Sequence, residues 1–205
     1  MACEYSGIVR DAFAARGHDA WSCDLLPTER LGNHIHGDVT KVLGDGWDLM
    51  VAHPPCTYLS YAGNGWLDET KYGNKATERI ALRDDALKFF MSLLNAPIEK
   101  ICVENPRGYP MKFVKPSQIV HPYYFGDSDK KTTCFWLKNL PKLVHIDGDD
   151  LFDKNTHADE PKPIFTDKSG KKRYFTDSLS PGPNRWKIRS KTFQGIANAM
   201  ASQWG

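Results

Sequence analysis

Apolar residues recur along this chain in two alternating rhythms. Ile8, Val9, Ala12, Phe13 and Ala15 gather on one side of a helical repeat, predicting a helix over residues 8–16 that Gly17 stops. A longer repeat carries Ile80, Ala81, Leu87, Phe90, Met91 and Leu94, predicting a helix over residues 77–94 ended by Asn95 to Pro97. Residues 193–204 read as a closing helix. Between these lie short apolar runs of strand length at 19–23, 35–39, 49–52, 100–103 and 134–137, and residues 1–5 read as the end of another. The run 49–52 stops at Pro54-Pro55, because proline brings no N–H to a ladder. The run 100–103 is closed by Glu104-Asn105-Pro106. Strands alternating with helices predict an α/β fold with right-handed crossovers and a mostly parallel sheet flanked by helices.

The rhythm fails over residues 147–184, which are rich in Asp, Lys, Pro and Gly and carry Lys168, Lys171, Lys172 and Arg173. This stretch reads as a surface excursion, so the expected organisation is a core over 1–146, the excursion over 147–188, and a helix over 189–205 returning to the core. With 205 residues, 40% of them hydrophobic, the chain is long enough to bury one core. The net charge of only +2 gives no global field for nucleic acid, so any such contact must be local. No stretch is apolar enough to span a bilayer, and no signal peptide is evident. The five cysteines are odd in number and contain no C-x-x-C pair, which fits reduced thiols in a cytoplasm.

Ligands of open parallel sheets bind beyond the carboxyl ends of the strands. Four features are expected on that rim. A Ser6-Gly7 turn allows close backbone approach, and Asp24 is positioned to accept hydrogen bonds from ribose hydroxyls. Cys56, in a loop stiffened by Pro54 and Pro55, reads as a reactive thiol, whereas Cys3, Cys23, Cys102 and Cys134 sit in or beside apolar runs and read as core. Glu104, directly after a buried-strand pattern, reads as a catalytic acid beside that thiol. A metal site using His34, His36, His53 and Cys56 lacks a second tight ligand pair, and none is assigned.

In this order the motifs resemble the DNA cytosine-5 methyltransferase family, in a compact form with a reduced target-recognition region. Glu4-Tyr5-Ser6-Gly7 is similar to the family's first cofactor loop. Gly37-Asp38-Val39-Thr40 resembles its G-D-[IV]-[TR] segment, whose Asp contacts adenine. Pro54-Pro55-Cys56-Thr57-Tyr58-Leu59-Ser60 resembles the P-P-C-Q-x-F-S nucleophile loop, and Glu104-Asn105-Pro106 the E-N-V segment. Residues 191–197 resemble the carboxyl-terminal segment that returns to the cofactor pocket. The resemblance covers residues 1–140 and 189–205.

It implies a Rossmann-like fold using S-adenosylmethionine, held by Glu4, Tyr5, Ser6, Gly7, Asp24, Asp38, Pro54 and Thr192. It implies catalysis by Cys56 and Glu104 on a cytosine flipped out of duplex DNA, with Pro55, Ser60, Asn105 and Lys130 on the substrate side. Lys131 would supply the cation where the family has Q-x-R-x-R, the local sequence being Lys130-Lys131-Thr132-Thr133. Thr57 replaces the family glutamine. The chain opens almost at the cofactor loop, so most of the first strand is expected to be missing. Lys172 and Arg173 in the excursion are expected to contact phosphates, with Tyr174, Phe175 and Trp186 nearby for stacking. Two other readings remain open. His53-Pro54-Pro55-Cys56 partly mimics the [DNS]-P-P-[YFW] loop of exocyclic amino methyltransferases, and the altered segments fit an inactive methyltransferase-like binding protein.

Overall fold

The computed structural model describes residues 1–145 and 159–205. Residues 146–158, which include the first part of the expected excursion, lie outside the described residues. In chain order the elements are α1 (Ile8–Ala14), β1 (Ser22–Asp24), β2 (His34–His36), β3 (Leu49–Ala52), α2 (Glu69–Tyr72), α3 (Asn74–Leu94), β4 (Lys100–Asn105), β5 (Gln118–Val120), β6 (Thr133–Lys138), β7 (Phe165–Thr166), β8 (Lys172–Arg173), α4 (Phe175–Ser178), α5 (Arg185–Ser190) and α6 (Gln194–Trp204). They divide into two compact units.

The first unit comprises residues 1–5, 21–119 and 133–142. It is built on β3 and β4, which pair in parallel from Leu49 beside Lys100 to Ala52 beside Val103. β1 and β2 also pair in parallel. Ala2 bridges the two pairs, lying parallel to Cys23 on one side and to Ala52 on the other. β6 runs antiparallel to β4, and β5 lies beyond it. The sheet is therefore mixed, which corrects the expectation of a mostly parallel one. The run Cys134-Phe135-Trp136-Leu137 signals a buried strand, but apolarity carries no record of strand direction.

Alternation sorts the strand residues onto two faces. Met50, Ala52, Ile101 and Val103 join Phe90 and Leu93 of α3 and Trp136 of β6 in one core. Phe90 meets the Trp136 ring edge-on at 4.9 Å, and the Trp136 indole N–H donates to the Val114 carbonyl at 2.9 Å. Val51 and Cys102 point to the other face yet are also fully buried. β3 and β4 are thus apolar on both sides, which explains why their sequences are continuous apolar runs and not alternating ones.

The second unit comprises residues 6–20, 120–132 and 143–205. α1 packs on α6, burying Val9, Ala12 and Phe13 with Ile196, Ala197, Met200 and Trp204. Gly195 is required there: a Cβ would come within 2.0 Å of the Phe125 carbonyl oxygen. Within the described part of the expected excursion, β7 and β8 form an antiparallel hairpin, followed by α4 and α5. No helix among the described residues is long and apolar enough to cross a membrane.

Candidate functional site

The carboxyl ends of β3 and β4 are laced together by the loops that follow them. The register that sets Ala52 beside Val103 brings His53 beside Glu104 one residue later, on the face opposite α3. The His53 imidazole Nδ1 lies 3.1 Å from Glu104 Oε2, with the two side chains 7% and 14% exposed. The His53 backbone N–H donates to the Ala2 carbonyl at 2.9 Å, so the ring is carried by a fixed strand end.

The next residues tighten the junction. Asn105, fully buried, donates its amide to the Pro54 carbonyl at 2.8 Å, and its Oδ1 has no hydrogen-bond partner among the described residues. Ser60 pairs antiparallel with Gly108, the Tyr109 N–H donates to the Leu59 carbonyl at 2.7 Å, and the Tyr61 N–H donates to the Arg107 carbonyl at 3.2 Å. Any side chain at position 108 would be driven to 2.1 Å from the Leu59 carbonyl oxygen. From the other side Arg79 of α3 donates to the Thr57 carbonyl at 3.0 Å and stacks over the Tyr58 ring.

Cys56 sits inside this laced loop. Its carbonyl accepts from the N–H groups of Leu59 and Ser60, closing a tight turn, and the residue is exposed. The other cysteines differ: Cys23, Cys102 and Cys134 are buried and Cys3 is half-buried. Burial pushes the Cys134 thiol up to about 11, and burial followed by the charge of Asp24 pushes Cys3 up to about 12. Reactivity requires a thiolate, so these thiols are inert by environment.

A second group lies at the ends of the neighbouring strands. The Glu4 N–H donates to the Cys23 carbonyl at 3.1 Å, which sets the buried Glu4 beside the end of β1, and the buried Tyr5 accepts from the Glu29 N–H. Asp24 ends β1 and accepts from the Leu26 N–H at 2.9 Å, while burial raises its carboxyl above the ordinary range. Asp38, exposed after β2, caps a short turn through the N–H and hydroxyl of Thr40. His34 and His36 hold the loop after β1 through the carbonyls of Leu26 and Leu25. No cluster of three or more His, Cys, Asp or Glu residues suited to a metal ion occurs among the described residues.

The remaining expected residues fall in the second unit. Ser6 is buried with its hydroxyl 3.4 Å from the Ile8 N–H, and Gly7 takes the left-handed conformation at φ 71° that a side chain would resist. Lys131 donates to the Arg189 carbonyl at 2.9 Å, Lys130 pairs with Glu160, and Thr192 is half-buried just before α6. Lys172 is exposed on the hairpin. Arg173 is not: its guanidinium makes two bonds to Asp167 Oδ2, at 2.9 and 2.7 Å, and holds the hairpin closed.

His53, Arg79 and Gly108 were not singled out from sequence for these roles. The signal for His53 is its place, one residue past a strand in register with the strand that ends at Glu104. A scan against protein-family models, a search of curated proteins and a search of solved structures each returned no match.

Proposed function

We propose that the chain is an S-adenosylmethionine-dependent methyltransferase acting on carbon 5 of cytosine in DNA. The observation that carries this reading is the junction of an exposed cysteine with a fixed carboxyl group. Cys56 is held in a rigid turn after two prolines, and that turn is tied to the strand end bearing Glu104 and Asn105.

Strand order supports the cofactor. Taking Ala2 as a one-residue strand, the sheet runs β2, β1, Ala2, β3, β4, β6, β5, and chain order reverses between Ala2 and β3. Such a reversal is where open α/β sheets of the Rossmann type receive nucleotide ligands. Glu4, Tyr5, Asp24, Asp38 and Pro54 gather at the carboxyl ends of these strands. The half-buried Asp24 carboxyl suits ribose hydroxyls, because donated hydrogen bonds would offset the desolvation that raises it. The cofactor would supply an electrophilic methyl group.

The chemistry asked of the protein is limited. The Cys56 thiolate adds to carbon 6 of the ring, making carbon 5 nucleophilic. Glu104, in its acid form, donates to ring nitrogen 3 and delivers its proton there as negative charge develops, while its other oxygen accepts from the exocyclic amine. Once carbon 5 carries the methyl group, solvent removes the carbon-5 proton, the carbon 5–carbon 6 double bond re-forms, the thiolate leaves from carbon 6, and ring nitrogen 3 returns its proton to Glu104. In a duplex the base must first leave the stack, at a cost of a few kcal/mol.

The test uses duplex DNA, methyl-labelled S-adenosylmethionine and DNA carrying 5-fluorocytosine. The expected result is label at carbon 5 of cytosine and a trapped covalent adduct, both abolished by Cys56→Ser. Label on an exocyclic amine with no adduct, or full activity of the variant, would overturn the reading.

A further inference from the structure

The catalytic carboxyl in this mechanism must do more than lie near the base. It has to present one oxygen to ring nitrogen 3 in a fixed orientation, and a carboxyl on three free torsions does not hold such an orientation. From the His53–Glu104 pair we infer that His53 is the positioning residue for Glu104: it holds Oε2 and thereby aims the other oxygen. This rests on the methyltransferase reading.

Three observations support it. The ring is anchored, because its own backbone N–H is bonded to Ala2 and Pro54 follows with its carbonyl held by Asn105. The contact is short at 3.1 Å and both side chains are largely buried, so water competes weakly for either partner. The pairing also continues the register of β3 and β4, which ends with Ala52 beside Val103, into the first loop residue, whose backbone is held by Ala2. Cys102 and Cys134 are buried thiols that respond to the Glu104 charge, and Arg107 is exposed at the following loop. The imidazole Nδ1–H donates to the carboxyl and fixes the ring tautomer, as outer partners of functional groups commonly do.

The experiment compares His53→Ala, His53→Asn and the unaltered chain in steady-state methyl transfer. Asparagine can set an N–H close to the position of Nδ1. His53→Ala is expected to lower kcat by about tenfold to hundredfold with KM changed less than about threefold. His53→Asn is expected to recover most of that loss, which a role in folding alone would not produce. The pair is also read without turnover, as the nitrogen-15 resonances of His53 in the unaltered chain and in Glu104→Gln, where a clear shift is expected. An active enzyme indifferent to His53→Ala, a His53→Asn no better than His53→Ala, or His53 resonances unmoved by Glu104→Gln would each overturn the inference. An inactive unaltered chain whose His53 resonances still respond to Glu104→Gln overturns the methyltransferase reading, and with it the use proposed here for the pair.

Discussion

Position 108 illustrates how a single residue fixes the candidate site. Gly108 has an extended backbone, φ −174°, which any residue can adopt, so its conformation does not require glycine. Space does, because the Leu59 carbonyl occupies the position a Cβ would take. Gly108→Ala is therefore expected to force the Cys56 loop off β4, costing about 1–3 kcal/mol of stability. Urea unfolding measures this, and an unchanged midpoint would mean the loops separate freely. The cysteines give a second residue-scale prediction. Burial raises the thiols of Cys3, Cys23, Cys102 and Cys134, whereas Cys56 is exposed to reagent, so a disulfide reagent at about pH 8 should label one site rapidly. Mass spectrometry should assign that site to Cys56, and rapid labelling of Cys56→Ser would contradict it.

Among the elements, those that bury a wide apolar face were legible in sequence. α1, α3 and α6 lie where the helical repeat puts them, although α3 begins at Asn74 and not at 77, because a turn capped by Gly73 feeds it. β3, β4 and β6 coincide with apolar runs. β5, α2, α4 and α5 were not legible: they are short, and their form is set by neighbours more than by periodicity. The direction of β6 was invisible for the reason that both of its faces are buried. The β7–β8 hairpin escaped because its turn is organised by one side chain. The Asp167 carboxylate accepts from the N–H and hydroxyl of Ser169, from the Lys171 N–H and from Arg173. Of these the Ser169 hydroxyl counts most, and together they hold the carboxyl well below its ordinary 3.8. A lowered carboxyl contributes order that is fully present above that ordinary value and lost as pH falls through the folded one. Asp167→Ala should therefore speed amide exchange at Ile164 and Asp167, whose N–H groups bond across the hairpin, without moving the global melting midpoint. Unchanged exchange would show that the strands hold themselves.

At the scale of the molecule, the sequence motifs lie far apart, and strand order is what gathers those of the first unit. The stretch from Glu4 to Gly7 is cut by the division into units, and Lys131 and Thr192 lie in the unit that lacks Cys56, so the first unit alone holds Cys56, Glu104 and three of the expected cofactor carboxylates. Asp24 offers the sharpest test of the cofactor half. Its carboxyl is raised chiefly by burial, so the folded state carries a charge it would shed more readily than the unfolded chain does. The penalty is absent below the ordinary carboxylate value of 3.8 and complete once pH exceeds the raised folded value. Asp24→Asn keeps an oxygen for the Leu26 N–H while removing the charge, so it should raise the melting temperature at neutral pH, with the gain vanishing in acid. A group that costs stability in the free protein is expected where a ligand supplies the missing partners. S-adenosylmethionine at about a hundred times its Kd should stabilise the unaltered chain by about 2.7 kcal/mol. Asp24→Asn should lose most of that increment at the same concentration, because its side chain accepts ribose hydroxyls with one neutral oxygen instead of a carboxylate. The two effects have opposite signs in one variant, which damage to the fold cannot imitate. An equal ligand shift in both proteins would remove Asp24 from the cofactor site, and no shift in either would remove the cofactor.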